Sequence, residues 1–113
     1  MHEMSLCESV LQILESEAKK QGFSKVKIVW LEIGRLSSVE PEAMLFSFDV
    51  VTRNSLAEGA TLNIIDIPGN AWCMQCAKNV VVKQRYDECP ECGSYQLQVT
   101  GGDDMKIKEL EVE

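Results

Sequence analysis

Only one histidine, His2, occurs in the 113 residues, so proton transfer has no second histidine to draw on. No nucleophile sits beside a base in a catalytic pattern, and no glycine-rich phosphate loop is present. An enzymatic role therefore has no residues to carry it. Long apolar runs are missing too: none approaches the ~18 residues that span a bilayer, which argues against a membrane-spanning chain. Positive charge is sparse, with 11 Lys and Arg against 18 Asp and Glu, a net charge of -7. Residues 1–69 carry a net -4, residues 70–95 are neutral, and residues 96–113 carry -3. No segment offers the basic face that phosphate binding requires, so nucleic acid is an unexpected partner. The start of the chain also lacks the basic segment, apolar stretch and small-residue cleavage site of a secretory signal. A reduced, cytoplasmic setting is the expectation, and it suits a chain with unoxidised thiols.

What is present is a cysteine pattern. Four of the five cysteines form two Cys-x-x-Cys pairs, Cys73 with Cys76 and Cys89 with Cys92, separated by twelve residues. Each pair can present two thiolates from a tight turn, and the linker can bring the second turn over the first to close a tetrahedron around zinc. Pro90 and Gly93 suit the second turn. Two disulfides, a redox pair or a rubredoxin-like iron site would use the same residues, and spacing alone does not separate iron from zinc. With four protein ligands such a metal has no open position, so it should fold a module and not perform chemistry. The remaining cysteine, Cys7, reads as a small buried hydrophobe beside Leu11 and Leu14.

The rest of the chain suggests an α/β (α+β) arrangement: two helices on a small mixed β-sheet, with the four-cysteine, zinc-ribbon-like module inserted. Ser5 and Glu8 resemble a capping box opening a helix whose stripe is Leu6, Val10, Ile13 and Leu14, stopped at Gly22. Lys25 to Ile33 reads as a strand rich in branched residues, broken at Gly34. A second helix is signalled by Ser37 and Ser38 as caps and Pro41 in the first turn, and ends near Arg53-Asn54. Thr61 to Ile67 reads as a strand, and Pro68-Gly69-Asn70 as a hinge. Tyr95 to Thr100 and Met105 to Val112 read as strands of a hairpin turning at Gly101–Asp104. The last strand is expected to rejoin the first lobe, since alone it would leave its backbone unpaired. The expected division is a domain of residues 1–69 completed by about 102–113, with residues 70–101 as the inserted module. Trp72 is expected to seal the first cysteine turn against the sheet.

His2 gains weight from its position. A histidine beside a free terminus can combine its imidazole, the terminal amine and deprotonated backbone amides in small chelate rings, a nitrogen set that favours nickel or copper. Bulky His2 disfavours removal of Met1, so the amine stays on methionine. Glu3, Glu40 and Glu42 are possible oxygen donors, with Glu3 nearest His2; in so acidic a chain most carboxylates are a solvated face.

Met1-His2-Glu3, the segment Ser5-Leu6-Cys7, Val29-Trp30-Leu31-Glu32-Ile33-Gly34, Phe46-Ser47-Phe48, Glu58-Gly59 and the paired Cys-x-x-Cys motifs occur in order along essentially the whole chain. In this combination the sequence resembles the HypA/HybF family of hydrogenase maturation nickel chaperones. The resemblance implies a carrier that binds Ni(II) at Met1, His2 and Glu3 and delivers it to the large-subunit precursor of [NiFe]-hydrogenase with a HypB-type GTPase. It also implies structural Zn(II) on Cys73, Cys76, Cys89 and Cys92. Some relatives draw a further histidine ligand from the zinc lobe, and this chain has none there. The competing reading is a zinc-ribbon interaction adaptor in which His2 is incidental.

Overall fold

A computed structural model describes residues 2–113. In chain order they form α1 (His2–Gln21), β1 (Val26–Gly34), α2 (Pro41–Val51), β2 (Thr61–Ile67), β3 (Gly69–Cys73), β4 (Lys78–Val82), β5 (Leu97–Gly101) and β6 (Met105–Val112). The strands make two three-stranded sheets, ordered β2-β1-β6 and β4-β3-β5. Two helices with small sheets bear out the α+β expectation. No described helix is long and apolar enough to cross a membrane. The chain divides into two compact units. One holds the residues up to Leu31 with Val39–Ile65 and Ile107–Glu113, and the other Glu32–Ser38 with Asp66–Lys106.

In the first unit the buried stripe of α1 is Glu3, Cys7, Val10 and Leu14, residues that recur on one helical face. Ile13, expected on that stripe, is half exposed. The helix also starts three residues before the expected Ser5 cap. The reason is tertiary: the Glu3 carboxylate accepts a hydrogen bond from the Glu40 backbone N–H at 3.2 Å, tying down a first turn that the local sequence does not cap. At the other end Gly22, at φ +80°, donates its N–H to the Ala18 carbonyl as a C-terminal stop should.

The same bond settles the start of α2. Glu40 is its N-cap and makes no side-chain cap of its own, so neither Ser37 nor Ser38 plays the expected role. The Ser37 hydroxyl donates instead to the Gly34 carbonyl at 2.6 Å. At the far end the Thr52 hydroxyl and N–H both donate to the Phe48 carbonyl, and Asn54 follows at φ +63°, close to the expected stop. Met44 and Phe48 face inward, and the Cys7 thiol lies 3.6 Å from the Met44 carbonyl and 3.9 Å from its sulfur. Burial, helped by the Glu3 charge, pushes the Cys7 thiol up to about 11, so it packs as a hydrophobe and is not a reactive thiolate.

In the second unit three segments meet at glycines. A Cβ on Gly34 would stand 2.2 Å from the Gly102 carbonyl oxygen, and one on Gly102 would stand 2.3 Å from the Pro68 carbonyl oxygen. Gly34, the expected break, is therefore the last residue of β1, a close-approach position one residue beyond the expected strand end at Ile33. Its N–H donates to the Asp104 carbonyl at 2.9 Å, and the Leu36 N–H donates to the Gly102 carbonyl at 2.7 Å. Gly102 also has φ +75°. We expect Gly102→Ala to cost more than about 2 kcal/mol, left-handed strain adding to a backbone clash that cannot relax locally. Gly59→Ala is the control, because Gly59 has φ +76° and nothing within 4 Å of its Cβ position. Strain alone limits its cost to about 1–2 kcal/mol. Urea midpoints of the two variants read the difference.

The expected hairpin at Gly101–Asp104 does not form. β5 pairs antiparallel with β3, Ala71 facing Val99 and Cys73 facing Leu97, whereas β6 lies beside β1 in the other sheet. The Gly-Gly-Asp-Asp segment is a crossover between sheets, its direction set by the Gly34 and Gly102 contacts. The expectation that the last strand returns to the first sheet does hold. β3 and β4 are not signalled by the local sequence, where Pro68-Gly69-Asn70 has the composition of a hinge. Five-residue strands interrupted by a cysteine turn give too little alternation to stand out.

Candidate metal centre

β3 and β4 pair antiparallel from Gly69–Val82 to Cys73–Lys78, so the chain reverses immediately after Cys73 and carries Cys76 in the turn. The Ala77 N–H donates to the Cys73 carbonyl at 2.8 Å, and the Cys76 N–H points at the Cys73 sulfur at 3.4 Å. The second turn repeats the plan. Gly93 N–H donates to the Cys89 carbonyl at 2.8 Å, and Glu91 N–H approaches the Cys89 sulfur at 3.4 Å. Gly93 has φ +77°, as its place in such a turn demands. The Lys78 ammonium reaches from one turn to the Glu91 carboxylate of the other at 2.5 Å. Both partners are about half exposed, so the pair fixes geometry more than it adds stability.

The four sulfurs, Cys73, Cys76, Cys89 and Cys92, lie within 4.8 Å of one another. Cys73 and Cys92 approach to 3.6 Å, and Cys76 and Cys89 to 3.9 Å. A tetrahedron with metal–sulfur bonds of about 2.3 Å has edges of about 3.8 Å, between these two values. The cysteines are free, at separations far beyond the ~2.05 Å of a disulfide. The donors therefore fit a divalent ion. Thiols this crowded cannot ionise independently. The Cys92 sulfur, then burial, push Cys76 up to about 12. At Cys89 burial opposes ionisation, but the Glu91 and Cys92 backbone N–H groups together with the Cys92 and Cys73 thiols outweigh it and lower the thiol to about 7. A bound cation would remove the conflict by sharing its charge among all four.

The core of this unit is built around the same residues: Leu36, Ala71, Cys73, Val80, Val82 and Cys89 form its buried cluster. Trp72 does not seal the first turn as expected. Strand alternation puts it on the opposite face of β3 from Ala71 and Cys73, where it is 38% exposed.

Of the expected nickel ligands, Met1 lies outside the described residues. His2 is exposed at the first position of α1. The first backbone amides of a helix have no acceptor within it, so the nitrogens there are not locked into the helical ladder. The Glu3 side chain is 8% exposed, and its carboxylate is engaged by the Glu40 N–H. That N–H, and secondly its own, hold the Glu3 carboxyl below its ordinary value of 4.5. A depressed carboxylate stabilises the fold above its unfolded pKa and loses that contribution as pH falls through the folded one. The Glu40 amide proton resonance should accordingly titrate with a midpoint below 4.5, and Glu3→Gln should abolish the titration while lowering the urea midpoint at pH 7. Sequence reasoning did not foresee this bond, since nothing in the local pattern pairs residue 3 with residue 40. Glu40 and Glu42, also considered as oxygen donors, are exposed at the start of α2.

A family model described as "Hydrogenase/urease nickel incorporation, metallochaperone, hypA" matches residues 1–112. Hydrogenase maturation factor HypA of Albidiferax ferrireducens is 62% identical, and that of a Bradyrhizobium species 60%, each over the full length of both chains. The solution structure of the Ni metallochaperone HypA from Helicobacter pylori superposes with a TM-score of 0.71 at 27% identity, covering 97% of this chain and 96% of the other. A second HypA solution structure gives 0.72 at 27% identity, covering 100% and 97%. With a family model matched over residues 1–112 and relatives 60% and 62% identical over their whole length, the chain belongs to the HypA family of hydrogenase maturation and nickel incorporation proteins.

Proposed function

We propose that this protein carries Ni(II) on a chelate made by the Met1 amine, the His2 imidazole and backbone nitrogens of His2 and Glu3. It passes the ion, with a HypB-type GTPase, to the large-subunit precursor of [NiFe]-hydrogenase. The first domain bears the nickel, and the inserted module holds Zn(II) on Cys73, Cys76, Cys89 and Cys92 as a structural ion. The observation that supports the reading most is the placement of the sole histidine, exposed at the first residue of α1 in a chain of this family.

The chemistry of such a site suits a carrier. An exposed chelate can be opened by protonation or by a partner's competing ligands, which a closed cage resists. Its nitrogens must shed protons to bind, so nickel affinity falls as pH drops. Copper outranks nickel for the same donors, and selectivity has to come from supply and partner contacts. The Glu3 carboxylate, held by Glu40, acts by fixing the first turn behind the chelate.

The test is hydrogenase activity in cells lacking their own copy. The native gene should restore activity at limiting nickel and the His2→Ala variant should not, with excess nickel narrowing the gap by mass action. Equal restoration by both would leave the interaction-adaptor reading in its place.

A further inference from the structure

The second unit carries a pair of adjoining depressions that neither metal explains. The first is a cavity of about 280 Å³, with Ala71, Val82, Leu97 and Val99 on its apolar side and Gln84, Arg85 and Asp87 on its polar side. The second is a cleft of about 340 Å³ lined by Tyr86, Asp87, Glu88 and Tyr95. Tyr86 and Tyr95 border both, and they are 93% and 73% exposed. Two large aromatic side chains are thus left in water at the mouth of a cavity with one apolar wall.

Tyr86 is more than exposed. It has φ +70°, a conformation that glycine or asparagine adopts readily and an aromatic residue rarely does. The turn around it is closed by the Gln84 N–H donating to the Asp87 carboxylate at 3.1 Å, which needs no ring at position 86. Strain at an exposed residue that packs against little is the pattern of a side chain kept for recognition.

Charge decides what is recognised. Of the five cations among the described residues of this unit, Arg85 is held by the Leu36 carbonyl and Asp103, Lys78 by Glu91, Arg35 by Asp66 and Lys106 by Glu32, while Lys83 is exposed beyond the end of β4 and does not line the cleft. None of these cations pairs with Asp87 or Glu88. A cation entering the cleft therefore meets two unneutralised carboxylates and two phenol rings, a favourable setting for guanidinium or ammonium. The same carboxylates repel phosphate, so nucleic acid does not fit.

We infer that these depressions form one docking site for a protein segment that places an apolar side chain beside an arginine or lysine. The apolar side chain fills the cavity over Val82, Leu97 and Val99, and the cation lies in the cleft of Tyr86, Tyr95, Asp87 and Glu88. Tyrosine-rimmed apolar pockets are where interface energy concentrates. The inference requires the four-cysteine unit to be folded and does not depend on nickel.

The probe is a random seven-residue peptide library displayed on phage, selected on the zinc-loaded full chain without nickel and counter-selected on the Tyr86→Ala, Tyr95→Ala double variant. The peptides retained should share an apolar residue adjoining arginine or lysine. A synthetic copy should shift the amide resonances of Val82 and Val99, and Asp87→Asn with Glu88→Gln should weaken it about tenfold, more at low salt than at high. Tyr86→Gly guards against misfolding: it should unfold at a higher urea concentration than the native chain and yet bind the peptide less well. Peptides that bind the native chain and the double variant alike, that lack a basic residue, or that fail to enrich at all would overturn the proposal.

Discussion

Cys92→Ser should unfold the four-cysteine unit as thoroughly as Cys73→Ser, although Cys92 is exposed and Cys73 fully buried. Packing alone would predict the opposite ranking, with the exposed position nearly silent. Coordination predicts equality, because a tetrahedral site loses a quarter of its donors either way. The magnitudes favour coordination. Structural zinc supplies about 10–16 kcal/mol of apparent folding free energy in small modules. A whole domain is typically stable by only about 5–15 kcal/mol, and small units with thin cores depend on such staples. Here the buried cluster comprises four apolar residues and two of the cysteines, so without an ion crowded thiols would stand where a core should be. The expected result, for either variant or for the native chain with a strong zinc chelator, is collapse of the dispersed amide resonances of residues 66–106. Zinc content should fall to zero in parallel. A Cys92→Ser protein that keeps both its spectrum and its zinc would contradict this account.

The second large effect lies at the other end of the chain. His2→Ala should lower nickel affinity at least about a hundredfold, a loss of roughly 2.7 kcal/mol, with no change in unfolding midpoint. Stability should be untouched because His2 is exposed and only its backbone joins the helix. Affinity should suffer because, at the proposed site, the imidazole closes a chelate ring and the chain has no second histidine to take its place. Glu3→Gln is the informative contrast. If the backbone nitrogen and not the carboxylate serves as ligand, the variant keeps most of its affinity and loses stability instead, through the bond to Glu40. Calorimetric titration beside urea unfolding separates the two residues by which quantity each one moves.

Much of this was legible beforehand, for physical reasons. The Cys-x-x-Cys pairs state their geometry in their spacing, since each turn must bring two sulfurs to one point. β2 was read at its observed limits, Thr61–Ile67, because its flanks carry the breakers Gly59 and Pro68. What stayed hidden was tertiary. Ser5 and Glu8 look like a helix start, and the true start is set by a carboxylate reaching thirty-seven residues along the chain to Glu40. Gly101-Gly102-Asp103-Asp104 looks like a hairpin turn, and the close approaches of Gly34, Pro68 and Gly102 send it between sheets. Trp72 looks like a seal for the metal turn, and strand alternation turns it outward. In each case a local signal was outweighed by a contact between segments far apart in sequence.

The claim that most needs testing is that nickel sits on the chain terminus itself. The most direct measurement is calorimetric nickel titration of the zinc-loaded protein beginning with Met1, against the same protein bearing four additional glycines before it. The extension keeps His2, Glu3 and every cysteine but moves the amine out of chelating distance. The account predicts one tightly bound nickel in the first protein and none at that affinity in the second. Equal binding by both would contradict it, and would mean that nickel is held by side chains alone.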